Sequence, residues 1–140
     1  MTAPDPKALA AIHLASFTVP RPWGADEIAS LAQSDGVFLL TRPGGFAMGR
    51  ALAGEAELLT LAVSPDARRT GLGRALLKEF LAEAKARGAE KAFLEVAADN
   101  HAALALYASF DFSETGRRKG YYSSPGIAAI DALILSRDIG

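Results

Sequence analysis

Leu72, Leu76, Phe80 and Ala84 recur every four residues, and Leu77 and Leu81 widen the stripe they form. That spacing predicts an amphipathic helix with one apolar face, while Lys78, Glu79, Glu83 and Arg87 lie mostly elsewhere on its surface. Gly88 marks its end, Glu83 and Arg87 stand in the favourable i,i+4 order, and Lys85 and Arg87 suit its negative terminus. Such a helix needs an apolar surface to cover. The chain supplies "LLTLAV", ending at Val63, before it and "KAFLEVA" after it, both reading as strands. A strand–helix–strand order constrains the fold to a sheet with helices laid on it.

Three strands are predicted in "GVFLLTRPGGFAMGRALAGEAELLTLAVSP", because turn chemistry at Arg42 to Gly45 and at Gly54 divides runs of short apolar residues. Links this short suit an antiparallel meander. A short helix is expected from Asn100 to Ser109, with Asp99 or Asn100 supplying an N-cap oxygen. Two further strands, joined through Tyr121 to Gly126, complete a mixed α/β, mostly antiparallel sheet with helices on both faces. Upstream, helices are predicted from about Pro6 to Phe17 and from about Ala25 to Gln33, separated by the irregular "TVPRPWG" that carries Trp23. One domain over residues 1–140 is expected, without repeats or an interdomain linker.

Composition narrows the functional classes. Fifteen basic and sixteen acidic residues leave a net charge of −1, which gives no reason to expect general nucleic-acid or membrane binding. Any anion must therefore be recognised locally. The absence of cysteine excludes disulfides, thiolate metal sites and a thiol nucleophile. His13 and His101 have no partners at metal-ligand spacing, so no metal is expected. The beginning lacks a secretory pattern, and no apolar run approaches the ~18 residues of a membrane span. A cytoplasmic protein is the expectation.

The local anion receptor is predicted in "VSPDARRTGLGRALL". A loop that leaves a strand and opens a helix presents unpaired N–H groups at the positive end of the helix dipole. Gly71 and Gly73 remove side chains that would hold an anion away, and Arg68, Arg69 and Arg74 can add charge-assisted hydrogen bonds. A solvated turn with a glycine helix start is the plainer reading of the same residues. A Walker loop needs lysine followed by serine or threonine, which "GLGRA" lacks. The dinucleotide fingerprint fails because Leu76 occupies its third small position and an irregular link separates the glycines from the strand.

The pattern Arg68-x-x-Gly71-x-Gly73, together with "LEVAADNHAALALYASFDF", resembles the acetyl-CoA-binding region of the GNAT superfamily of N-acetyltransferases. The resemblance runs from about Trp23 to Ile139. Within the superfamily the chain looks like the bacterial RimI type, the ribosomal-protein alanine N-acetyltransferases, through "PW" at Pro22 and Trp23, the Arg68 loop, "LEV..DN..A.ALY..F.F" and "RR..YY". It implies acetyl-CoA as cosubstrate, with Arg68, Arg69, Thr70, Gly71, Leu72, Gly73 and Arg74 around the pyrophosphate and main-chain groups of Leu61, Ala62 and Val63 along the pantetheine arm. It also implies a peptide N-terminus of a ribosomal protein as acceptor. Two departures concern the acceptor side: the usual first strand is missing or very short, and Ser123 to Ile130 is slightly longer than in relatives.

Direct acetyl transfer needs a proton acceptor for the amine and a donor for the leaving thiolate. Glu95 stands inside "AFLEVA", where a strand covered on both faces would be continuously apolar. A carboxylate enclosed there loses hydration and becomes a stronger base; a glutamate at a solvated strand edge is the other reading. The resemblance makes Glu95 the proton acceptor and Tyr107 the proton donor, although a tyrosine among leucines on a short helix also suits a core position. Asn100 fits both an N-cap and a coenzyme contact. Trp23, Tyr121 and Tyr122 are candidates to line a peptide cleft, and Arg117, Arg118 and Lys119 read as a solvated strand end or a grip on an acidic partner. Asp131, inside "IAAIDALIL", is a buried-looking acid with no assigned role. Acetylation of a lysine or small amine, and non-catalytic acyl-CoA sensing, are the alternative functions.

Overall fold

The structure, a computed structural model, describes residues 7, 24–68, 70–124 and 126–139. Apart from Lys7, the helix expected at Pro6 to Phe17, the link with Trp23 and any first strand lie outside the described residues, as does Arg69. The described elements are α1 (Ala25–Ala32), β1 (Val37–Arg42), β2 (Gly45–Leu52), β3 (Glu55–Val63), a 3-10 turn (Pro65–Ala67), α2 (Leu72–Ala86), β4 (Lys91–Ala97), α3 (His101–Ala108), β5 (Ser113–Ser124) and β6 (Ile127–Asp138). Among these residues no helix is long and apolar enough to cross a membrane.

The strands form one mixed sheet in the order β1-β2-β3-β4-β6-β5. The first three make the predicted antiparallel meander. Among the described residues β3 and β4 are the one parallel pair, because a parallel neighbour needs a crossover connection and α2 provides it.

Helices cover both faces. On one, Leu76, Leu77, Phe80 and Ala84 of α2 and Tyr107 of α3 share a core with Phe38, Leu58, Leu94, Val96 and Leu133. On the other, Ile28 of α1 packs with Phe46, Met48 and Ala62. β2 is therefore buried from both sides over Gly45 to Gly49. Gly49 sets how closely α2 approaches: a Cβ there would stand 2.6 Å from the Phe38 ring and 2.7 Å from the Phe80 ring, two rings stacked at 5.9 Å. The short link from Val63 through the 3-10 turn to Leu72 keeps the N-terminus of α2 near the end of β3.

The final hairpin differs from expectation. β5 runs on through Tyr121 and Tyr122 to Ser124 instead of breaking before them. The physical reason is a bulge. Arg118 lies opposite Ala132 and Tyr122 opposite Ile130, so the four-residue advance on β5 answers two on β6. Gly120, with φ +59°, turns its N–H onto Asp131 Oδ1 at 2.8 Å, and Arg117 reaches Asp131 Oδ2 at 2.7 Å. Asp131, partly exposed, is thus the clamp of this bulge.

Candidate active site

β3 and β4 pair only from Glu55 opposite Lys91 to Leu58 opposite Leu94. There the ladder stops. The cause lies in β3, where Met48 faces Thr60 and Gly49 faces Leu58, leaving Leu59 as an extra residue. A bulge of this kind bends its strand. Beyond it β3 stays with β2 as far as Val63 while β4 stays with β6 as far as Ala97, so the two strands part and a gap opens between their ends. Leu61, Ala62 and Val63 all lie on the β3 side of that gap.

At the end of β3 the chain makes the 3-10 turn and enters α2 through Gly71, whose φ of +84° and ψ of 7° are left-handed and suit glycine. No side chain caps this end. Ala75 is the first residue whose N–H meets a helical carbonyl, that of Gly71 at 3.0 Å, so the amides before it project from the positive end of the helix. A Cβ on Gly73 would come within 3.5 Å of Leu106 and 4.0 Å of Leu61, narrowing the space where β3, α2 and α3 meet. Glycine keeps it open.

The remaining residues of the loop gather here. Arg68 Nε is 3.4 Å from the Val63 carbonyl, and the Thr70 hydroxyl donates to the Ala67 carbonyl. Arg74 Nη1 donates to Ser109 Oγ at 2.9 Å and its guanidinium lies 4.9 Å from the Phe110 ring centroid, so part of its charge is engaged in joining α2 to the end of α3. Asn100 performs the N-cap role: its Oδ1 accepts the Ala103 N–H at 3.2 Å. Its side-chain amide donors belong to the part of the group that this cap does not use.

Glu95 and Tyr107 lie on opposite faces of the sheet. Leu94 and Val96 turn into the α2–α3 core, so Glu95 turns the other way. The enclosure expected of Glu95 is not found. Its side chain is 30% exposed, because α1 covers β1 to β3 and, among the described residues, no helix covers β4 on that face. Tyr107 is buried at 7% exposure, in edge contact with Phe112. Burial pushes its phenol well above the ordinary tyrosine range, so it is protonated and a donor at neutral pH.

Arg118 meets Glu95, a contact that its sequence context disguises. Within "RRKG" it reads as part of a solvated run, yet its Nε stands 3.6 Å from Glu95 Oε1, whereas neighbouring Arg117 pairs with Asp131 and Glu114 on the other face. Tyr122 also faces Glu95. Its phenol is pushed up to about 12, chiefly by burial and then by the Glu95 carboxylate. Tyr121 is half-exposed and meets Tyr122 edge-on at 5.2 Å.

A gap lined by an unzipped strand fits an extended ligand with amide groups of its own, and the uncapped α2 terminus fits an anion at that ligand's far end. The features of acetyl-CoA match both. Comparison with known proteins agrees. The model of the Acetyltransferase (GNAT) family matches residues 8–112. Over 93% of its length the chain is 38% identical to the ribosomal protein bS18-alanine N-acetyltransferase of Escherichia coli K12, 90% of which is covered. It is 34% identical over its whole length to the N-alpha-acetyltransferase RimI of Mycobacterium tuberculosis, again covering 90% of that protein. The crystal structure of the ribosomal-protein-S18-alanine N-acetyltransferase from Escherichia coli superposes with a TM-score of 0.85 at 35% identity, over 97% of this chain and 88% of that one. A family match across most of the chain and relatives this similar over nearly all of it place the protein in the GNAT acetyltransferase family, as an acetyl-CoA-dependent N-acetyltransferase.

Proposed function

We propose that the protein acetylates the N-terminal alanine amine of a small-subunit ribosomal protein, with Glu95 as proton acceptor and Tyr107 as proton donor. The observation that carries the catalytic part is the parting of β3 and β4 with Glu95 on one face and Tyr107 on the other. The acceptor follows the named substrate of the two Escherichia coli matches, similar over nearly the whole chain.

Acetyl-CoA supplies the acetyl group as a thioester. Leu61, Ala62 and Val63 would hold the pantetheine arm through main-chain groups, and Arg68, Thr70, Gly71, Leu72, Gly73 and Arg74 would receive the pyrophosphate, with Asn100 contributing its amide. The acceptor amine approaches from the Glu95 face. As its nitrogen bonds to the carbonyl carbon and the carbon–sulfur bond breaks, Glu95 takes the amine's proton, directly or through water, and the Tyr107 phenol donates to the sulfur. An α-amine has a pKa of about 7.7 to 8 against about 10.4 for lysine, so a single carboxylate suffices to free it. Tyr121 and Tyr122 line the acceptor side. Cytoplasmic action follows from a ribosomal substrate.

Small-subunit ribosomal proteins from cells lacking N-terminal acetylation, incubated with this protein and acetyl-CoA, test the reading by intact and peptide mass spectrometry. One protein gaining a single acetyl group on its N-terminal alanine is the expected result. Acetylation confined to lysines, or none on any ribosomal protein, overturns the acceptor. Full turnover by Glu95→Gln overturns the assignment of the base.

A further inference from the structure

Glu95 already holds a cation. Arg118 reaches it from β5 across the whole width of β6, and the register explains how. Ala97, Ala132 and Arg118 form one row across β4, β6 and β5, and the fully buried Ala132 is too small to block a side chain passing over it. The Arg118 guanidinium lies 3.6 Å from the carboxylate and 5.0 Å from the Tyr121 ring centroid. The ring supports it by a cation–π contact that does not depend on Glu95. If the carboxylate is taken by another cation, the guanidinium keeps this support and presents its donors a few ångströms away.

A carboxylate and a guanidinium side by side are complementary to an ammonium and a carbonyl side by side. That pair is the head of every peptide: the α-ammonium and the carbonyl of the first residue are separated by one carbon. A lysine side chain or a simple amine brings the ammonium alone.

We propose that Arg118 is a specificity-determining residue that reads the carbonyl oxygen of the acceptor's first residue once the α-amine has displaced it from Glu95. This rests on the reading of Glu95 as the group that receives the amine. The pair then favours α-amines over ε-amines by recognition of the aminoacyl head, independently of the side chain that head carries. A hydrogen bond from a charged donor, attenuated by the exposure of Arg118 at 55%, is worth about five-fold in binding.

The test uses two small amines of similar shape, alaninamide, which carries the carbonyl, and isopropylamine, which does not. Dissociation constants are measured by NMR titration of the full chain with coenzyme A present, so no turnover is required. In Arg118→Gln the binding of alaninamide is expected to weaken about five-fold while isopropylamine binds as well as before or better, since Glu95 is no longer occupied. Arg118→Lys, which keeps a donor and a charge, is expected to restore part of the difference. The melting temperature of an exposed substitution and the KM for acetyl-CoA stay unchanged. An equal response of the two amines to Arg118→Gln overturns the proposal, as does no response. Turnover by Glu95→Gln, measured separately, judges the base: loss of turnover with an unchanged amine ratio in Arg118→Gln rejects the role of Arg118 alone.

Discussion

A phenol is in the donor form throughout the working pH range, and burial raises that of Tyr107 further. Tyr107→Phe keeps the ring and its edge contact with Phe112, so the fold is expected to survive with little change in melting temperature. Turnover is expected to fall about 100-fold or more, the lower end of what a positioned acid contributes, as read by thiol release at saturating acetyl-CoA. Retained kcat would reduce Tyr107 to packing. Asp131 offers a test of a different kind. The Gly120 N–H and then Arg117 hold its carboxyl below the usual carboxylate range. A lowered native pKa means that the contribution to stability is present above the unfolded value of about 3.9 and is lost as pH falls through the native one. The Gly120 amide resonance is therefore expected to titrate below about pH 4 as the bulge loosens, and Asp131→Asn is expected to abolish that titration.

Elements with a local signal were legible in the sequence. The four-residue repeat of Leu72, Leu76, Phe80 and Ala84 gives α2, and "KAFLEVA" is β4 from end to end. The glycine start of α2 at Gly71 was legible for the same reason, lying in one contiguous loop. What the sequence does not display depends on strand order. Glu95 reads as enclosed because nothing in β4 says which faces its neighbours leave open, and Arg118 reads as solvated because β5 reaches β4 only over β6. The extra residue at Leu59, which parts β3 from β4, is visible only against β2. Backbone demands at the element scale are testable in both directions. Ala53 has φ +54° beside Gly54 at +83°, a turn that favours Asn-Gly, so Ala53→Asn is expected to stabilise by about 0.5–1 kcal/mol. Gly49→Ala would force a methyl against the stacked Phe38 and Phe80 and is expected to cost about 2–3 kcal/mol. Urea denaturation of both variants checks the opposite signs.

Across the whole molecule the two faces of the sheet divide the labour. The α2–α3 face is closed by a continuous core that includes Tyr107; the opposite face at β4 to β6 carries Glu95, Arg118, Tyr121 and Tyr122. Each face contains one phenol whose pKa is raised in the folded chain, Tyr107 by burial and Tyr122 by burial and then by Glu95. For an acid raised on folding, the native state keeps its proton where the unfolded chain has lost it. The stability this contributes is complete below the unfolded value of about 10 and declines as pH rises through the native one. The protein is therefore expected to lose stability progressively above about pH 10, with absorbance at 295 nm reporting delayed ionisation of both tyrosines. Replacing either by phenylalanine removes its share, so the fall in urea midpoint between pH 8 and pH 11 is expected to shrink in Tyr107→Phe and in Tyr122→Phe. Only the first of these two lies on the closed face, and on the proposed mechanism it is the one expected to lose turnover. The second is expected to act on the acceptor, raising its KM while leaving that of acetyl-CoA unchanged, and an effect on both would contradict the division between the faces.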